Sequence, residues 1–447
     1  MADSYGYHFK RNFLLAYPVI LSQLGHIMVG VADSMMVGQL GATPLAAATL
    51  ANSIFTLFFM FGIGVSYAIT PLVATADAEK NTGRIAAVLK HGFGINMLTA
   101  VLLLGLTMIA SQILGVLNED KEVVTLAGPY LIIIATSIFP FMIFQTFRQF
   151  AEGLSMTRQA MFITVTSNLI NILLNYIFIF GKLGFEPMGL NGAGLATLIS
   201  RIIMGIWMAL YIYKNKRFKA YWEGFSFKQY SRQIINRLLK IGLPSGFQFI
   251  LEIGAFGASA IMIGWVGTKS MAAHNVAINL ASISWMMASG LASAIAIRVS
   301  NQLGKKDIPT LRTAGFTIFI MALILMTIWA GIFVVGRFYL PTLYISDPEV
   351  IELASSLLII AAFFQLSDGI QVVALGALRG LSDTKIPTLF TFIAYWVLGL
   401  PIGYVLAFIF DLGAAGVWYG LLIGLTVVAT TLFFRFNTLT LKILGKN

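Results

Sequence analysis

Three carboxylates stand in the middle of long apolar runs, where acids are seldom kept: Asp33, Glu252 and Asp368. An ionised acid at membrane depth costs at least about 2.5–3.5 kcal/mol on insertion scales, so it persists where it faces a cavity, holds a cation or carries a proton. The other 15 of the 18 acidic residues lie in loops or near the ends of apolar runs. Each of the three has polar company at helical spacing. Gln23, His26, Gly30 and Asp33 follow 3-4-3 spacing and share one helix face. Asn168, Asn171 and Asn175 make a polar stripe on a later apolar segment, and Thr197 can join them from the next. Asp33, Asn171 and Asn175 would offer one carboxylate and several amide oxygens, hard ligands suited to Na⁺ or to a hydrogen-bonded proton. Farther on, Gln248, Glu252 and Ser259 share a face, as do Gln365, Asp368 and Gln371. Two carboxylates in one half make the stronger cation site, and Glu252 with Asp368 is a candidate Na⁺ site.

Each motif also has a structural reading. Glu252 and Asp368 could be ion-paired with Arg201 or Arg379, and the asparagines could serve only as interhelical hydrogen bonds. His26 and His274 read as packed, hydrogen-bonded histidines. Arg148, Arg158, Arg298 and Arg379 read as anchors at the membrane interface.

The elements that must carry these residues are membrane spans. Of 447 residues, 58% are hydrophobic and 11% charged, too little polar surface to cover a soluble globule of this size. Twelve apolar runs, at roughly 12–38, 44–74, 86–113, 123–149, 159–181, 189–213, 236–265, 271–302, 310–336, 348–377, 386–410 and 413–436, are each long enough to cross a bilayer as a helix. Their continuous hydrophobicity favours helices over the alternating strands of a barrel. The first is too long for the apolar core of a signal peptide and has a counterpart in mid-chain, so it is expected to be retained. The absence of Cys excludes disulfide and thiolate chemistry.

The formal charge of +11 could suggest nucleic acid, yet its distribution speaks for topology. With the N-terminus inside, 24 of the 29 Lys and Arg fall at cytoplasmic ends, four (Lys121, Lys182, Lys269, Arg337) fall outside, and Arg201 stays within a span. That asymmetry predicts a multi-pass protein of the plasma (inner) membrane with both termini cytoplasmic. The dense basic stretch from Lys214 to Lys240 reads as a linker lying against anionic headgroups, not as a nucleic-acid surface.

The chain also repeats itself. With Pro18 aligned on Pro244, eight of the thirty positions counted from that pair are identical, and Gly153-Leu154-Ser155 returns as Gly380-Leu381-Ser382 at nearly the same shift. Two halves of six spans follow, and six is even, so the repeat is parallel. The predicted organisation is an N-terminal lobe at 1–213, a basic linker at 214–235 and a C-terminal lobe at 236–447, forming two six-helix bundles around a central cleft. Glu252 falls opposite His26 and Asp33 opposite Ser259, so the halves share a frame but not a site.

Pro18 followed by Asp33 and Gly38, Glu252 after Leu243-Pro244, the Ser300-Asn301-Gln302-Leu303-Gly304 stretch, and Asp368 ahead of Gly380-Leu381-Ser382-Asp383-Thr384 together resemble the multidrug and toxic compound extrusion family, in its NorM-type bacterial branch. The resemblance spans the chain. It implies twelve helices in two bundles and efflux of hydrophobic cations driven by Na⁺ or H⁺. It assigns cation coupling to Glu252 and Asp368 in the C-lobe and to Asp33, Asn171, Asn175 and Thr197 in the N-lobe, with Pro18 as the bend in the first helix. Two departures stand out: another branch has aspartate at the place of Asn175, and some relatives have tyrosine at that of Phe364. Gln23, His26, Gln248, Gln365 and Phe364 are candidates to line the cavity.

The resulting expectation is an antiporter working by alternating access. It is not an enzyme, has no cofactor beyond its coupling ion, and acts as a monomer on cationic drugs or metabolites. The nearest rival, a flippase for lipid-linked sugars, would call for basic residues at depth where this chain has acids. A membrane enzyme would need a clustered nucleophile and base that four scattered His and no Cys do not provide.

Overall fold

The computed structural model describes residues 5–112, 114–117, 120–223 and 230–445. Among these it is helical, without strands, and twelve helices are long and apolar enough to cross a membrane: Tyr5–Gly38, Ala42–Ala78, Thr82–Gln112, Lys121–Gly153, Arg158–Phe180, Gly189–Lys214, Arg232–Val266, Thr268–Gly304, Ile308–Gly336, Pro348–Gly380, Lys385–Ile409 and Gly413–Leu444. All twelve expected spans are found, here numbered one to twelve. Most run several residues past the apolar stretch, because caps and the polar ends of helices are invisible to hydropathy.

The interruptions follow the prolines. Span two breaks between Ser66 and Ile69, four residues before Pro71, and span four breaks at Ser137, ahead of Pro140. A proline supplies no N–H to the carbonyl four residues back, so the ladder opens there. Span eleven, which contains Pro401, widens into π-helical turns at Ile393–Gly399 and Val405–Ile409.

The duplication is written into the backbone. Lys80 and Lys306 hold left-handed φ of 57° and 59°, Ser155 and Ser382 both hold 61°, and Gly41 and Gly267 hold 123° and 153°. Asp120 accepts from the N–H of Glu122 at 2.9 Å to cap span four, and Asp347 accepts from that of Glu349 at 3.0 Å to cap span ten.

The chain forms two compact units, one of residues up to Ile20 together with those from Phe247 onward, the other of Leu21–Gly246. This division differs from the expected 1–213 and 236–447 at two places. Leu15 and Ala16 pack into the core built from spans seven to twelve, while Leu238 and Ile241 pack into the core of spans two to six. The crossing points fall two residues after Pro18 and Pro244, where helices one and seven lose a backbone hydrogen bond. The described part of the basic stretch is docked: Phe218 is fully buried, with its ring 5.8 Å from that of Phe150. Lys228 lies outside the described residues.

Span ten is held close to span eight at Gly376. A Cβ there would lie 2.3 Å from the carbonyl oxygen of Ala292, so only glycine permits this approach. Gly376→Ala is expected to destabilise the folded protein by about 1–3 kcal/mol, the usual cost of overpacking. The measurement is a thermal melt of purified protein in detergent; an unchanged midpoint would show that the two helices can part at no cost.

Candidate functional site

Glu252 stands on span seven two turns after Pro244, and Gln248 one turn before it. Its Oε1 accepts from Gln248 Nε2 at 3.1 Å and from Gln371 Nε2 of span ten at 2.8 Å. Gln371 in turn accepts at Oε1 from the Tyr395 hydroxyl at 2.9 Å. Tyr395 sits on the first π-helical turn of span eleven, and the indole of its neighbour Trp396 donates to Leu251 O at 3.0 Å, tying span eleven to span seven. The chain Gln248–Glu252–Gln371–Tyr395 thus joins three spans.

Asp368 lies one turn before Gln371 and is 5% exposed, yet its carboxylate makes no hydrogen bond or ion pair among the described residues. Glu252 is its charged neighbour. Both side-chain polar atoms of Gln365 are buried without a partner among the described residues. Two acids and an unsatisfied amide at membrane depth carry a standing cost that a bound cation or proton would relieve. Glu252 makes no ion pair among the described residues either, although of the two arginines weighed as partners Arg379 lies within its electrostatic reach. Arg201 belongs to the other unit, where its guanidinium donates to Ser137 Oγ at 2.6 Å.

Two neighbours differ from expectation. Ser259 turns its hydroxyl onto Ala255 O of its own helix, at 2.8 Å. Phe364 is enclosed by the rings of Phe256 and Trp418, at 6.1 and 5.6 Å, with 2% exposure. A phenol oxygen reaches the cluster from Tyr395, through Gln371. Removing that hydroxyl with Tyr395→Phe is expected to free Gln371 and weaken ion binding about fivefold, the equivalent of one ordinary hydrogen bond. The half-saturating ion concentration for drug efflux is the quantity to measure, and an unaltered value would take Tyr395 out of the site.

In the Leu21–Gly246 unit, Asn175 of span five donates a hydrogen bond to Asp33 Oδ1 and another, at 3.1 Å, to Asn171 Oδ1. Asn171 Nδ2 reaches Thr197 Oγ1 at 3.4 Å and Ser200 Oγ at 3.3 Å on span six. Asp33, Asn171, Asn175 and Thr197 are therefore one connected chain across three spans. Among the described residues Asn175 Oδ1 is buried without a partner, as is Asn168 Nδ2, which lies against Gly25. Arg201 and Tyr130 both lie within electrostatic reach of Asp33, and Tyr130 accepts from Asn52 at 3.4 Å. Gln23 and His26 share the helix of Asp33 and are half-buried.

Three of the four expected interface arginines are buried. Arg148 pairs with Glu152 at 2.7 Å, and Arg298 bonds Asn12 and His8 at 3.1 and 2.9 Å. Arg379 is 8% exposed, and Arg158 alone is exposed. Neighbouring helices cover these ends, so the side chains find protein partners before they reach headgroups. Tyr395 and Ser200 carry no periodic signal that would single them out. Their only mark is polarity on an apolar span. Among the described residues no three His, Cys, Asp or Glu converge.

Comparison with known proteins gives a consistent picture. The family model described as MatE matches residues 18–177 and again 244–405, the two copies starting 226 residues apart. The multidrug resistance protein NorM of Photobacterium profundum is 35% identical over 432 residues, covering 95% of this chain and 94% of its own. The multidrug resistance protein MdtK of Yersinia pseudotuberculosis is 33% identical over 430 residues, covering 95% and 94%. Among solved structures, the outward-facing form of a multidrug resistance MATE family transporter superposes with a TM-score of 0.88 at 19% identity, covering 98% of this chain and 97% of its own.

Proposed function

The chain belongs to the MatE family, and from that premise we propose that it exports hydrophobic organic cations in exchange for Na⁺ or H⁺. It is a multi-pass membrane protein of a transporter family. The excess of Lys and Arg at alternate ends of the spans supports a plasma-membrane orientation with both termini in the cytoplasm. Each chain carries both halves of the repeat, which supports a working monomer.

The observation that carries this reading is the pair Glu252 and Asp368, buried in apolar surroundings and held by amides or by nothing, without a basic partner in an ion pair among the described residues. A negative charge at depth that no direct ion pair neutralises attracts whichever cation reaches it, a small coupling ion or a large drug. The two exclude one another because each neutralises the same charge. Exchange needs only that ion and drug prefer different states of the protein, since a ligand that binds both equally shifts nothing. Charge neutralisation by either cation then permits the site to be carried across the apolar interior, where an empty, ionised site would be costly. The Asp33–Asn175–Asn171–Thr197 chain is a second place for the same exchange.

The test is drug movement in everted or reconstituted vesicles loaded with a fluorescent cation, with Na⁺ and pH gradients imposed separately. Acceleration by one gradient identifies the coupling ion. Indifference to both would overturn the antiport reading.

A further inference from the structure

Resting on the export reading above, we propose that Phe55, Phe59 and Phe141 form a cage for the charged head of the transported organic cation, and that Arg201 occupies this cage as a tethered competitor.

Among the Lys and Arg, Arg201 is the one placed well inside a span. The centre of its guanidinium lies 4.7 Å from the ring centroid of Phe59, 5.2 Å from that of Phe55 and 5.4 Å from that of Phe141. Its one hydrogen bond goes to Ser137 Oγ, and it has no ion pair among the described residues. Three aromatic faces around a cation that no carboxylate pairs directly among the described residues is the chemistry by which proteins bind quaternary ammonium and similar ligands.

The sequence builds the cage locally. Phe55 and Phe59 are one turn apart on span two, with stacked rings 5.0 Å apart, and Phe59 meets Phe141 of span four at 4.5 Å. Ser137 and Phe141 are likewise one turn apart, at the break caused by Pro140. Span six is brought in by Gly205, one turn after Arg201, where a Cβ would stand 2.7 Å from Pro140 O. Phe55 and Phe141 are buried, whereas Phe59 and Arg201 each keep part of their surface accessible.

Arg201 also lies within electrostatic reach of Asp33. With Asp33 ionised and free of its ion, the guanidinium is drawn toward the carboxylate and the cage is vacated for a drug cation. With Asp33 neutralised by the coupling ion, that pull is lost, Arg201 returns to the rings and the drug is displaced. The side chain would thus convert ion uptake at one residue into drug release at another. The ligand class this selects is the bulky, permanently charged organic cation; organic anions would find no counter-charge in the rings.

The experiment is equilibrium binding of benzyltrimethylammonium, whose trimethylammonium head is small enough for the cage, to the purified full-length protein in lipid nanodiscs. Arg201→Gln keeps a donor for Ser137 and removes the competing charge, so affinity is expected to rise roughly tenfold and to lose most of its sensitivity to the coupling ion. Adding Phe59→Leu to that variant should reverse the gain, because a leucine presents no ring face. Arg201→Lys, a more strongly hydrated and less well stacked cation, should give a smaller rise of about threefold, and it supplies the test if the glutamine variant does not fold. Wild-type binding that is unchanged or tightened less than twofold by both Arg201 variants, or a gain that survives loss of the Phe59 ring, would overturn the cage alone. Wild-type protein that neither binds nor transports the cation would overturn the export reading with it.

Discussion

Glu252→Gln, and separately Asp368→Asn, should each abolish ion-driven ethidium efflux from cells or its accumulation in everted vesicles, while the protein remains folded in the membrane. Both substitutions preserve shape and delete one charge. At position 252 the amide oxygen of glutamine can still accept from Gln248 and Gln371, which meet the carboxylate at 3.1 and 2.8 Å, so the three-span connection survives. Asp368 has no hydrogen bond to lose among the described residues, and its replacement relieves repulsion from Glu252. The folded state should therefore be no less stable, since deleting a buried charge removes a desolvation cost. What disappears is the difference between loaded and empty site. A permanently neutral group mimics the ion-bound form, so the gradient has nothing left to act on. A loss of at least about tenfold in initial rate is expected, or ~1.4 kcal/mol of coupling. Thermal melts taken alongside would separate lost coupling from lost protein. Efflux at wild-type rate in both variants would remove Glu252 and Asp368 from the exchange.

The sequence made the frame and the acids legible for different reasons. Twelve spans could be read because lipid demands about twenty apolar residues per crossing, a signal that survives any detail of packing. The duplication could be read because glycines at close contacts and turns tolerate so few replacements; Gly41 and Gly267, Gly153 and Gly380 persist on both sides. Asp33, Glu252 and Asp368 announced themselves by cost alone, and the spacing of Asn171 and Asn175 anticipated their shared face on span five. Tertiary partners were another matter. Nothing in the order of residues marks Tyr395 among fifteen tyrosines, because its position depends on a widened helical turn and on the approach of span eleven to span seven. The burial of Arg148 and Arg298 was hidden for the same reason: depth along one helix can be counted, whereas cover by its neighbours cannot. The exchange of helix ends after Pro18 and Pro244 is intermediate, since the prolines are visible but their consequence is not.

Asp33→Asn probes whether the Leu21–Gly246 unit works independently of the other acids. Asp33 is the acceptor for Asn175, whose amide is fully buried and bonds Asn171 as well. A hydrogen bond to a charged acceptor contributes about 1.5–3 kcal/mol, so replacing it by an amide weakens the whole chain to Thr197 and Ser200. The side chains at 252 and 368 belong to the other compact unit and keep their charges. The expected result is a fall of roughly tenfold in maximal efflux rate with little change in the ion concentration that gives half of it, as for loss of one of two additive sites. Asn175→Asp offers the opposite perturbation, placing a second acid beside Asp33 and raising the affinity of this unit for a cation, with tighter ion binding and slower drug release. Titration of efflux against Na⁺ and against pH in the two variants distinguishes the cases. If Asp33→Asn instead shifts the half-saturating concentration as strongly as loss of Glu252 does, the two units share a single coupled ion site, because independent sites would leave each other's affinity unmoved.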